Sequence, residues 1–207
     1  MKFLKTLVLA ALAGMSISIG GIVFLSCESK VAGAIFFTIG LFTVCTFGLN
    51  LFTGKVCYAL ENKASYVLDL ILIWAGNFAG CFLTGLAMRA TRVAPSLIET
   101  AQGVCEKKLS GSPLSTIILG LFCNICIYIA VDGYKNNPHE IGKYLALLFG
   151  VSVFILCGFE HCVANMFYFS MAGIFSIEML VFLLLNTVGN CIGGLLIPLM
   201  YKMIKKA

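Results

Sequence analysis

Six long apolar runs, at 3–25, 31–60, 66–88, 115–131, 141–172 and 177–201, decide what this chain of 207 residues can become. A helix needs about 20 mostly apolar residues to cross a bilayer. Hydrocarbon offers a backbone no hydrogen-bond partners, so such segments must satisfy their own N–H and C=O groups. Only 11% of the residues are charged and 60% are hydrophobic, whereas a soluble domain carries roughly 25% charged residues. The sequence therefore reads as an all-α integral membrane protein with six transmembrane helices. The longest polar connection, 89–114, is too short for a second domain, so residues 1–207 form a single membrane domain.

Orientation follows from Lys and Arg near the ends of the runs, because cytoplasmic loops hold the excess. With the N-terminus inside, Lys2, Lys5, Lys55, Lys63, Lys135, Lys143, Lys202, Lys205 and Lys206 fall on the inner side. Lys30, Arg89, Arg92, Lys107 and Lys108 fall on the outer side. Nine against five predicts a multi-pass protein of the cell's inner (cytoplasmic) membrane with both termini cytoplasmic. The net charge of +5 mostly reflects this bias and gives no argument for nucleic acid as a partner. The opening MKFLKTLVLAALAG also resembles a signal peptide, but its apolar run extends to Leu25, beyond the 7 to 15 residues of a usual signal core, and reads better as the first span. Most of the ten cysteines lie inside apolar runs, where a thiol packs as a small hydrophobe. The CxxC spacing of Cys123 and Cys126 has no partner pair or nearby His, so no metal and no cofactor is assigned.

The two halves, about 1–88 and 115–207, carry the same landmarks in the same order. Lys5, Gly14, Gly48 and the Gly76-Asn77 pair are answered by Lys108, Gly120, Gly158 and the Gly189-Asn190 pair. From Gly14 to Gly48 is 34 positions and from Gly120 to Gly158 is 38; Gly48 to Asn77 is 29 and Gly158 to Asn190 is 32. Three spans per half would invert the halves across the membrane. The second and fifth spans are interrupted at matching places, TFGLNLFTGK and CGFEHCVANM. Broken helices in inverted repeats mark binding sites at mid-membrane depth. A break followed by a new half-helix also aims free N–H groups at the gap, an arrangement that suits an anion.

His161 lies at the second break and Thr53 at the first. Ionisable residues inside a membrane are costly and by default mark a substrate or proton path; the alternative is that His161 only ties helices together. Glu160 would repel an anion, so it is expected to face away from the path and accept hydrogen bonds from the broken backbone, with Asn50 as its uncharged counterpart. Asn77, Asn124, Asn165 and Asn190 are amides close to small residues, and Asn77 and Asn190 read mainly as helix-joining architecture. His139 reads as a solvated loop residue, and Lys63, Lys135 and the terminal KMIKKA as anchors at the inner interface.

At this point the residues resemble the formate/nitrite transporter family, closest in motif to its formate channels. The resemblance runs through AGMSISIG, FTIGL, GLNLFTG, WAGNFAG, GLFCN, GFEHCVANMF and GNCIGG, and thus through nearly all of the chain. It implies a homopentamer of aquaporin-like protomers, each with its own pore for small monovalent anions or their acids. By motif, His161 resembles the family's central histidine and Thr53 the threonine of its mobile loop. Phe37, Leu41, Leu51 and Phe154 fall on positions that form two hydrophobic constrictions. Lys108 and Asn190 resemble a vestibule lysine and its amide partner, Asn124 a further polar residue near the pore, and Glu160, Asn165 and Asn50 support the broken helices. The chain departs from the family pattern at Asn50, where an acidic residue is usual, and at Leu49, where a small one is. Family members commonly carry a longer cytoplasmic N-terminal segment linked to gating; two residues precede the first apolar run here, so no gating is assigned to such a segment.

Together these readings predict a channel or transporter for the anions of weak acids, formate first and nitrite next, with hydrosulfide and lactate of the same charge class. Protons and the lipid bilayer are its other partners. A bare anion crossing two apolar rings would lose its hydration at a cost of several kcal/mol or more, and acquiring a proton at His161 would remove most of that cost. Desolvation favours a neutral imidazole, which would act as donor or relay, with Thr53 holding the substrate's other oxygen. Two readings from other classes compete: a membrane-embedded enzyme, which lacks the necessary ligand and carboxylate spacings, and an assembly subunit without a pore.

Overall fold

The computed structural model describes residues 2–205; Lys206, one of the nine inner cations, lies outside them. The chain is all-helical, in the order α1 (Lys2–Ser26), α2 (Lys30–Thr46), α3 (Phe52–Val56), α4 (Tyr66–Arg89), α5 (Ala94–Leu109), α6 (Pro113–Asn136), α7 (Glu140–Cys157), α8 (Cys162–Ala172) and α9 (Ile177–Ile204), with one 3-10 turn at Ala59–Glu61. Short serine caps start several of them: the side chains of Ser29, Ser112 and Ser176 accept the N–H of Ala32, Ser115 and Met179.

The six apolar runs do not become six continuous helices. Among the described residues five helices, α1, α4, α6, α7 and α9, are long and apolar enough to cross a membrane. The run 31–60 divides into α2, an extended stretch and α3. The run 141–172 divides into α7, an extended stretch and α8. Gly48 and Gly158 sit just after the ends of α2 and α7 with φ of 63° and 70°, in the left-handed region that favours a residue without a Cβ. In each case the next N–H closes the helix end: Leu49 donates to Val44 and Phe159 to Phe154, both at 2.9 Å.

Close approach of backbones governs the packing. α1 lies against α4 and α6 against α9. Gly80 meets the carbonyl of Ala11, and Gly193 meets that of Leu121, so tightly that a Cβ at either position would collide with the oxygen. Helices in lipid gain little from a hydrophobic effect between them, and small residues allow the contact that holds them together. Outward-facing positions such as Leu68, Ile141, Phe149 and Ile177 are exposed and apolar, as a lipid-facing surface requires.

Two expectations of register are corrected. Gly120 is matched in the first half by Ala10, not Gly14: Asn190 donates to the carbonyl of Gly120 as Asn77 does to that of Ala10. With Ala10 in that place, the distance to the glycine of the break is 38 positions in both halves. Lys108 has no mirror in Lys5, because it stands on α5, a helix between the two halves. The sequence reading took this region as a polar connection. It forms a 16-residue helix whose Ala94, Leu97, Ala101 and Cys105 are buried, and it packs on α8.

Candidate functional site: two breaks around a buried histidine

Each break is held by one asparagine. Asn77 of α4 accepts the N–H of Phe52, the first residue of α3, at 2.8 Å and donates to the carbonyls of Ala10 and Asn50 at 2.7 and 2.9 Å. Asn190 of α9 accepts the N–H of Cys162, the first residue of α8, at 2.9 Å and donates to the carbonyls of Gly120 and Glu160 at 2.7 and 2.9 Å. The backbone N–H of Asn50 reaches Leu9, and that of Glu160 reaches Leu119, at 3.3 and 3.2 Å. The first N–H of each half-helix, that of Phe52 and that of Cys162, is thus engaged by a side-chain amide. Asn77, read like Asn190 mainly as helix-joining architecture, is as central to its break as Asn190 and ties α4 to α1 through Ala10.

His161 occupies the N-cap position of α8, and Leu51 the same position before α3. Thr53, two residues beyond Leu51, is therefore offset from the mirror position of His161, yet its Oγ1 lies 2.9 Å from Nε2 of the imidazole. The other ring nitrogen, Nδ1, accepts the N–H of Ala164 at 3.1 Å. A neutral ring so held carries its proton on Nε2 and donates to Thr53 Oγ1. The imidazole stacks on Phe154 with centroids 5.5 Å apart and planes at 18°, and Phe154 meets Phe37 edge to face at 6.0 Å. Asn124 of α6 fixes Thr53 from behind by donating to its carbonyl at 3.1 Å.

Two cavities lie near this pair, one against Leu51 and Gly54 beside Thr53 and the other against His161 itself. The first, about 710 Å³, is lined by Leu41, Leu51, Gly54, Lys55, Tyr58 and Lys135 among others. The second, about 330 Å³, is lined by Phe154, Glu160, His161, Asn165, Lys107 and Lys108 among others. Leu41 and Leu51, each 1% exposed, face the first cavity, and Phe154, equally buried, faces the second. Phe37 is fully enclosed against Phe154. The sequence reading of Lys135 as an interfacial anchor missed its place in the first cavity. Lys55, directly after Thr53 and Gly54, was the available signal.

Glu160 departs from its expected role. Its carboxylate lines the second cavity and is held by side chains: Oε2 accepts from Lys108 Nζ at 2.6 Å and from Asn165 Nδ2 at 2.8 Å. The ammonium offsets the negative charge that would otherwise repel an anion there. The expected pairing of Lys108 with Asn190 is likewise replaced, since Asn190 is committed to the backbone of the break. Asn50 lies near the first break, where its Nδ2 reaches the Thr6 carbonyl at 3.4 Å.

The residues brought together are therefore one imidazole, one hydroxyl, four amides (Asn77, Asn124, Asn165 and Asn190) and an ion pair, with the buried side chains of Phe37, Leu41, Leu51 and Phe154 among them. This arrangement can offer a hydrogen bond to a small polar solute, at two side chains buried from bulk water. The formate/nitrite transporter family model matches residues 1–204, and the chain belongs to that family. It is 25% identical over 153 residues to the formate channel FocB of Escherichia coli K12, covering 67% of this chain and 53% of that protein. With the formate channel FocA of the same strain it shares 25% over 188 residues, covering 79% of this chain and 65% of the relative. The chain thus spans about half to two thirds of the length of these curated relatives. Among solved structures, one described as a pentameric formate channel with formate bound superposes with a TM-score of 0.85 at 25% identity, covering 100% of this chain and 98% of the other. Members of the family are named as channels and transporters, not enzymes.

Proposed function

We propose that this protein conducts the small monovalent anions of weak acids across the cytoplasmic membrane, formate before nitrite, and that the solute crosses the centre as the neutral acid. The observation that carries the reading is the buried His161–Thr53 contact at 2.9 Å, with Phe154 stacked on the imidazole, one cavity against His161 and another against Leu51 and Gly54 beside Thr53. An anion leaving the second cavity would have to shed its hydration to pass Phe154, a loss of several kcal/mol or more. A neutral acid does not face that barrier.

The imidazole is oriented for this task. Because Ala164 N–H occupies Nδ1, the ring offers its Nε2 proton toward Thr53 and the path. Thr53 can accept that hydrogen bond and turn its own hydroxyl proton to the substrate. The proton comes from water in the cavities; the neutral imidazole keeps its own Nε2 hydrogen and favours the neutral acid through its hydrogen bond to Thr53. Hydrosulfide and lactate belong to the same charge class and are weaker candidates.

The same reading assigns six spans as two inverted three-helix repeats, with the second and fifth broken, in an aquaporin-like protomer. The matched hydrogen-bond sets of Asn77 and Asn190 support it. It assigns a homopentamer, with protons as co-substrate and both termini cytoplasmic. The first cavity is then the inner mouth and the second the outer one, in keeping with the lysine count. The test is formate flux into proteoliposomes across a pH series. Substituting His161→Asn is expected to lower flux by at least about tenfold and to flatten its pH dependence. Unchanged rate and pH profile would remove His161 from the neutralising step, and no flux of any small anion through the unaltered protein would favour a non-conducting assembly subunit.

A further inference from the structure

The first cavity holds a cation that has no part in the His161 site. Lys55 is the fourth residue of α3, two positions beyond Thr53, and is half-buried on the wall of that cavity. Lys135, from the end of α6, lines the same space with its Nζ 4.4 Å from the centroid of Tyr58. The other charged groups facing the cavity are Glu61, Glu140 and Lys143. Glu140 and Lys143 neutralise one another in an ion pair at 2.5 Å. Among the described residues no ion pair engages Lys55 or Lys135. The contrast with the second cavity is direct: its deep lysine, Lys108, is already matched by Glu160 at 2.6 Å.

We infer that Lys55, with Lys135 beside it, is an anion-holding site in the first cavity that loads the pathway ahead of Leu41 and Leu51. A half-buried ammonium without a carboxylate keeps much of its field, because walls of low dielectric focus it and salt screens it less than at a surface. A lysine is a point charge on a flexible stem, so the site selects small monovalent anions by charge, not by shape. Chloride therefore competes with formate there, whereas discrimination belongs to the apolar rings and His161 beyond. The inference rests on the transport reading and adds to it a saturable loading step on one side.

The test compares wild type, Lys55→Gln and Lys55→Arg in two ways. In inverted and right-side-out membrane vesicles, Lys55→Gln is expected to raise the half-saturating formate concentration from the Lys55 side about tenfold at low ionic strength. The difference should shrink in high salt, flow from the Lys108 side should keep its half-saturation, and Lys55→Arg should restore the wild-type value. Saturation-transfer NMR of the formate proton with detergent-solubilised protein supplies a readout independent of flux. It should show a signal that chloride displaces and that Lys55→Gln loses. Equal half-saturation in Lys55→Gln and wild type from the Lys55 side, or an unaltered NMR signal, would overturn the site. A wild type that binds formate at Lys55 but carries no anion would instead overturn the transport reading and leave the site standing.

Discussion

Asn77 and Asn190 each make three hydrogen bonds in places where no water can replace them. Replacing either with Ala leaves a buried N–H and two carbonyls without their partner, a loss of about 1–3 kcal/mol. Thermal unfolding in detergent should register comparable destabilisation for Asn77→Ala and Asn190→Ala; a marked effect of only one would contradict their equivalent roles. The Lys108–Glu160 pair answers to a different rule, because breaking a buried ion pair exposes the surviving charge to its surroundings. Lys108→Met leaves Glu160 as an unmatched carboxylate beside the path, which repels an incoming anion. Formate flux should therefore fall further in Lys108→Met than in the Lys108→Met, Glu160→Gln double variant, where the repulsion is gone. A double variant no better than the single one would show that Lys108 acts other than by neutralising Glu160.

The breaks in α2–α3 and α7–α8 were legible because glycine, polar residues and a following short apolar stretch interrupt an otherwise continuous run. Gly158→Ala tests that reading directly: at a φ of 70° an added Cβ costs about 1–2 kcal/mol, whereas the same change at exposed Gly103, inside α5, should be neutral or stabilising. Gly193→Ala should cost more than either, because the new Cβ meets the Leu121 carbonyl and forces α6 and α9 apart. The exact correspondence between halves was less legible, since the helix contact tolerates alanine at position 10 where the second half uses Gly120, and pattern-matching on glycine alone slid to Gly14. α5 was missed because its buried stripe is only Ala94, Leu97, Ala101 and Cys105, diluted by charged and polar neighbours. The partner of Glu160 was hidden for a related reason: Lys108 lies 52 positions away and reaches it only after α5 folds onto α8.

The whole molecule places its cations and its apolar residues in different zones. Lysines line both cavities, while Phe37, Leu41, Leu51 and Phe154 enclose the middle. On the proposed transport reading, such a division would admit anions to the mouths yet make charge the least tolerable property at the centre. If the solute crosses neutral, each formate moves with one proton and no net charge is transferred. In proteoliposomes, formate flux should then follow a pH gradient and change little when a potassium gradient with valinomycin sets the membrane potential. A bare anion would behave in the opposite way: about 100 mV is worth about 2.3 kcal/mol per charge, enough to alter one-way flux several-fold. Internal pH, followed with a trapped dye during formate uptake, should fall in step with flux. Strong dependence on voltage without that acidification would place the charge on the solute throughout its passage and overturn the neutral crossing.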